Sequence, residues 1–116
     1  MVCVGENGYL FGENNNRSDI RLPYGQEQLI RELKEQGNKV VVVVFNGRPL
    51  DLSAVVPYAD ALLIAWHPGT EAGNAVADLL FGKRSPSGKL PVPMALNARS
   101  PTLFAVKYTR KKRKSK

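Results

Sequence analysis

The 116-residue sequence predicts an α/β fold, a mostly parallel sheet flanked by helices. Three observations carry that expectation. Asn38–Leu50 contains five consecutive valines and a phenylalanine, a run too uniformly apolar to be amphipathic at either the strand or the helix period. β-Branched residues pack well on a pleated surface, and a short run apolar on both faces reads as a central strand covered from both sides. Ala61–Trp66 is a second such run, and Gly25–Gln36 between Met1–Val4 and the valines has helical spacing. Strand, helix, strand, strand, helix is the order of a parallel sheet with right-handed crossovers.

The elements follow in chain order. Met1–Val4 ends at Gly5 as the close of a strand, with Cys3 expected as a small buried hydrophobe. Glu6–Pro23 is polar, rich in Asn and Gly, and aperiodic. Connections beyond about 12–15 residues are uncommon in compact domains and are usually functional or disordered. In Gly25–Gln36, Leu29, Ile30 and Leu33 share one face, opposite Glu27, Arg31, Glu32, Lys34 and Glu35, and Gly37 is placed to end the helix in the left-handed conformation. The valine strand stops at Asn46-Gly47-Arg48-Pro49. Leu50, Leu52, Val55 and Val56 are expected under the sheet edge. After Ala61–Trp66 comes the loop His67-Pro68-Gly69, then Thr70 as N-cap of a helix with Ala72, Ala75, Val76, Leu79 and Leu80 as its buried stripe and Gly82 as its stop. The prolines of Leu90-Pro91-Val92-Pro93 confine that piece to the surface or an edge. Three strands are few for a sheet, so the sequence reads as an incomplete domain.

Charge is unevenly placed. Residues 107–116, KYTRKKRKSK, hold seven of the seventeen Lys and Arg and no acid, which leaves ten basic against ten acidic residues over 1–106. The net charge of +7 is therefore a property of the tail. The rest carries no electrostatic footprint for nucleic acid. A single cysteine excludes an internal disulfide. No apolar run approaches the roughly 18–20 residues that span a bilayer. The start MVCVGENGY shows neither a charged leader nor a signal core, and the compartment stays open.

Open α/β sheets bind ligands beyond the carboxyl ends of their strands. Gly5-Glu6, Asn46-Gly47-Arg48 and Trp66-His67-Pro68-Gly69 should share that rim, with the long loop leaving from it. The candidate ligand-facing residues are thus Glu6, Glu13, Arg17, Asp19, Arg48, Trp66 and His67. Each has a plainer role: Arg48 and Asp51 paired with backbone or with each other, Trp66 as packing, Glu6 and Glu13 as solvated acids. His67, the only histidine, lacks a second ligand at metal spacing and suits a bond to a loop carbonyl. The glycines of Gly5–Gly12 fit neither a dinucleotide nor a phosphate-loop pattern, and Gly88-Lys89 lacks the following Ser or Thr. No Gly-x-Ser-x-Gly elbow is present.

Several motifs in one order say more. Val4-Gly5-Glu6, Gly12-Glu13, Arg17-Ser18-Asp19-Ile20-Arg21-Leu22-Pro23, Gln26, Asn46-Gly47-Arg48-Pro49-Leu50, Ala65-Trp66-His67-Pro68-Gly69-Thr70-Glu71, Gly73-Asn74-Ala75, Leu80-Phe81-Gly82 and Ser85-Pro86-Ser87-Gly88-Lys89-Leu90-Pro91 run in sequence. Over residues 2–93 the chain resembles the C-terminal α/β sandwich domain of glycoside hydrolase family 3, the β-glucosidases, β-xylosidases and related exo-acting enzymes.

The resemblance implies a partial, N-terminally truncated α/β sandwich, flavodoxin-like in its parallel sheet. It implies a β-linked oligosaccharide or glycoside as substrate and an N-terminal barrel domain carrying an aspartate nucleophile. Counting back from Asp19–Pro23, Glu13 takes the position of the family's general acid/base, with Glu6 as second choice. Arg17, Arg48, Trp66 and His67 would shape the substrate side. No metal or organic cofactor is implied. Residues 94–106 depart from the family pattern as a divergent connecting segment, before a basic, disordered tail at 107–116. Without a nucleophile the isolated chain should be inactive. A rival reading of another class is a non-catalytic binding module whose basic tail meets nucleic acid or another polyanion. A flavodoxin-like small-molecule binder rests on fold analogy alone.

Overall fold

The computed structural model describes residues 1–92 and Met94. Apart from Met94, the connecting segment 94–106 and the tail 107–116 lie outside the described residues. Three strands form one parallel sheet: β1 (Val2–Gly5), β2 (Val41–Phe45) and β3 (Ala61–Ile64), in spatial order β1-β2-β3. Helix α1 (Gln26–Glu35) crosses from β1 to β2, and α2 (Ala72–Leu80) follows β3. A 3-10 turn at Val56–Tyr58 leads into β3. The valine run is thus the central strand, as its two-sided apolarity requires.

The register decides which side chains meet. Val2, Val42 and Leu62 stand side by side, as do Val4, Val44 and Ile64. This face packs on Ile30 of α1, on Leu50, Leu52 and Val55 of the following connection, and on Met94. Ile30, Leu50, Leu52 and Val55 are fully buried.

The opposite face carries Cys3, Val43 and Leu63 in register. Val43 is buried, but Cys3 is exposed, contrary to the sequence expectation. Cys3 belongs to an outer strand whose far side is uncovered.

Both helices also depart from their expected stripes. Leu29 is 48 % exposed, because only the Ile30 and Leu33 side of α1 meets the core. In α2 no residue is buried and Ala75 is exposed. Its N-cap is Glu71, without a side-chain capping bond, rather than Thr70. The helix is correctly placed in the chain but incompletely covered. Val56, expected under the sheet edge, is exposed as part of the 3-10 turn. Gly37 and Gly82 close the two helices at φ +85° and +76°, as predicted. Pro91 and Val92 are exposed, consistent with surface placement.

Candidate active-site rim

The carboxyl ends of the strands lie together because the sheet is parallel and in register. Gly5 pairs with Phe45, and the Glu6 N–H donates to the Phe45 carbonyl at 3.0 Å, extending the pairing by one residue. A Cβ on Gly5 would run into that same Phe45 carbonyl, and φ is +145°, so glycine alone fits. Gln26, the first residue of α1, locks the backbone from the other side. Its Oε1 accepts from Gly5 N–H at 2.7 Å, and its Nε2 donates to the Gly5 carbonyl at 3.0 Å.

Glu6, thus fixed, has a fully buried side chain. Arg17 Nη1 donates to its Oε1 at 2.9 Å, and Arg48 Nε lies 3.2 Å from the same oxygen as an ion pair, with its N–H aimed aside. Gly47 N–H reaches Oε2 at 3.4 Å. A buried carboxylate needs such partners to offset its desolvation. Glu6 is therefore the hub of an Arg17–Glu6–Arg48 cluster, and its oxygens are taken as acceptors.

Arg48 also reaches into the long loop. Its Nη2 donates to the Leu10 carbonyl and, at 3.0 Å, to the Asn15 carbonyl. Between those two carbonyls lies Glu13. Asn15 N–H closes a turn on the Gly12 carbonyl at 3.2 Å, with Asn14 at φ +65° in the position that tolerates a left-handed residue. Glu13 sits at the turn's second position with its side chain in solvent. Asn15 Nδ2 also donates to the Phe11 carbonyl at 3.2 Å. An exposed glutamate is thus held at the tip of a turn over the carboxyl ends of β1 and β2.

The other candidates divide. His67 is exposed and makes no hydrogen bond among the described residues, so the expected carbonyl bond is absent. Its ring instead tilts against Phe11, with centroids 4.3 Å apart. Gly47 permits this, since a Cβ there would fall 2.6 Å from Phe11 Cγ and 2.8 Å from His67 Nε2. Trp66, at φ +54°, takes a left-handed conformation rare for a bulky side chain, a strain of about 1–3 kcal/mol. It packs against the core and lines a cleft of about 610 Å³ with Leu63, Leu79 and segment 84–90. None of Glu6, Glu13, Arg17 or Arg48 lines that cleft.

Asp19 faces Arg21, with Arg21 Nη2 2.7 Å from Oδ2. That guanidinium, and the Arg21 N–H, hold its carboxyl well below the usual carboxylate range. Asp51 does not pair with Arg48. Its Oδ1 accepts from Ser53 N–H, and its backbone bridges to Arg21.

Sequence reasoning placed Glu6, Arg17 and Arg48 on one rim but not on one another. It overlooked Phe11 and Gln26 as site-building residues. The apolar Phe11 inside a polar loop was the available signal. Among the described residues no three His, Cys, Asp or Glu are grouped to hold a metal ion, and no helix is long and apolar enough to cross a membrane.

Comparisons with known proteins agree with this architecture. The family model of the glycosyl hydrolase family 3 C-terminal domain matches residues 1–115. Over 92 residues the chain is 48 % identical to a periplasmic β-glucosidase of Salmonella typhimurium, covering 79 % of this chain and 12 % of that protein. It is 36 % identical over 90 residues to a β-xylosidase of Formosa agariphila, covering 78 % and 12 %. The crystal structure of a β-glucosidase from Listeria innocua superposes with a TM-score of 0.78 at 44 % identity, over 80 % of this chain and 13 % of that one. The chain thus spans roughly an eighth of the length of these relatives. With its parallel sheet, strand-end motifs and long β1–α1 loop, the chain belongs to the glycosyl hydrolase family 3 C-terminal domain family.

Proposed function

We propose that this chain supplies the general acid/base, Glu13, to a retaining exo-acting glycoside hydrolase that cleaves terminal β-linked glucosyl or xylosyl residues. The attacking carboxylate would come from a barrel domain outside this sequence. The observation that carries the reading is the placement of Glu13: an exposed carboxyl, without a partner among the described residues, at the tip of a braced turn on the carboxyl-end rim of the sheet. The other rim carboxylate, Glu6, is buried and occupied by two arginines. The relatives' names, β-glucosidase and β-xylosidase, and Listeria innocua complexes with glucose and laminaribiose support the substrate class.

The chemistry asks for two carboxyl groups about 5–5.5 Å apart. The barrel carboxylate attacks the anomeric carbon while Glu13 protonates the departing glycosidic oxygen, giving a covalent glycosyl-enzyme and a free alcohol. Glu13, now ionised, takes a proton from water, whose oxygen displaces the enzyme carboxylate. Two inversions give net retention. A general acid keeps its proton until used, and closure of an apolar pocket favours the neutral form. A solvated turn tip that a second domain covers meets both needs. Arg17 and Arg48 then serve the loop rather than the sugar, while Trp66 and His67 flank the rim.

The test is a graft of residues 2–92 into the matching segment of the Listeria innocua β-glucosidase. Active graft carrying Glu13→Gln should lose about 10²–10⁴-fold in kcat/KM on phenyl β-glucoside. Undiminished activity would remove Glu13 from the role.

A further inference from the structure

We infer that Arg48 is a positioning residue that aims Glu13 by clamping the turn that carries it. The inference rests on the reading of Glu13 as the acid/base. Arg48 stands directly after β2, and its guanidinium is mostly enclosed, with the side chain 21 % exposed. One nitrogen, Nη2, serves both ends of the Glu13 turn, donating to the carbonyls of Leu10 and Asn15. The Nε side rests on buried Glu6, whose Oε1 also takes Arg17 Nη1 at 2.9 Å. Arg17 Nη2 reaches the Arg21 carbonyl at 3.4 Å at the loop's far end. The β2 strand end, the β1 strand end and both limbs of the loop are therefore joined through one guanidinium fork.

Arginine suits this place better than lysine. Its planar fork can face a carboxylate on one side and two carbonyls on the other, whereas a lysine ammonium is a single point donor. The loop has no strand or helix of its own across residues 6–20. Its shape near Glu13 depends on these bonds and on two local turns, closed by Leu10 N–H on the Asn7 carbonyl and Asn15 N–H on the Gly12 carbonyl. A displacement of the acid by about 1 Å costs on the order of 10²-fold in rate.

Two measurements test this. In the full 116-residue chain, amide exchange at Leu10 and Asn15 should quicken at least about tenfold in Arg48→Lys while the β2 amides stay protected. In the graft, Arg48→Lys should lower kcat/KM on phenyl β-glucoside about 10–100-fold and leave 2,4-dinitrophenyl β-glucoside within about threefold, because only the poorer leaving group needs a well-placed proton donor. Arg17→Lys, which loosens the brace through Glu6 rather than at the turn itself, should show the same split at smaller size. A split in Glu13→Gln with none in either arginine variant overturns the positioning role and leaves Glu13 standing. No split in Glu13→Gln instead removes the acid assignment. Unchanged exchange at Leu10 and Asn15, or equal losses on both substrates, overturns the inference directly.

Discussion

Gly5 shows how tightly a single position is set. Its φ of +145° and the Phe45 carbonyl in the place of a Cβ leave room for hydrogen alone. Gly5→Ala should cost at least about 2 kcal/mol of unfolding free energy, since the alanine either parts β1 from β2 or holds a forbidden backbone. Urea denaturation measures it, and a wild-type midpoint would contradict the packing described. Glu6, one residue on, was legible in sequence as a rim carboxylate and no more. A Gly-Glu pair looks the same whether its acid faces a ligand or an arginine 42 positions away. Asn46 was similarly silent: fully buried, its Nδ2 donates to the Arg48 carbonyl at 2.7 Å and shapes the turn that presents Arg48. Cys3 was misjudged because strand membership does not reveal whether the strand's outer face is covered.

At the scale of elements, the valine strand was readable because five β-branched residues in a row permit almost nothing else. The end of α1 was readable from Gly37. The burial of α2 was not, because an amphipathic pattern states which face would be buried and not whether a surface exists to bury it. The join between α1, β2 and β3 rests on Asp60. Lys34 Nζ lies 2.6 Å and Val40 N–H 2.7 Å from its Oδ2, and both hold the carboxyl below the usual aspartate range. A lowered carboxyl contributes stability fully above the ordinary aspartate range and loses it as pH falls through and below that range. Both charges are partly exposed, so salt weakens the contribution. Asp60→Asn should therefore flatten the acid side of the stability–pH curve relative to wild type, most visibly at low salt. Parallel curves for the two proteins would refute the role of Asp60.

For the whole molecule, charge and sheet point to different partners. The sheet's carboxyl-end rim, with a braced glutamate above it, is the surface that the proposed barrel domain would complete. The net positive charge belongs to residues 107–116, and 1–106 is formally neutral. Removal of 107–116 should accordingly abolish any retention on a DNA column at about 0.15 M salt, where binding scales with phosphate-neutralising cations. Tight, salt-resistant binding by residues 1–106 alone would contradict this account of the charge. The parallel sheet, its central valine strand and the shared rim were legible because two-sided apolar runs separated by helical spacing point to a parallel arrangement, whereas the spatial order of the strands was not read. The Arg17–Glu6–Arg48 hub was not, because it joins residues whose separation in sequence carries no periodic signal.

The proposed role of Glu13 is to donate the proton and later deprotonate the water of a double-displacement reaction. Its most direct test is the product formed by the Glu13→Ala graft from 2,4-dinitrophenyl β-glucoside with sodium azide present. Azide needs no general base, so it should restore turnover and yield β-glucosyl azide, with the configuration of the substrate retained. No rescue, or the α-anomer as product, would contradict the assignment.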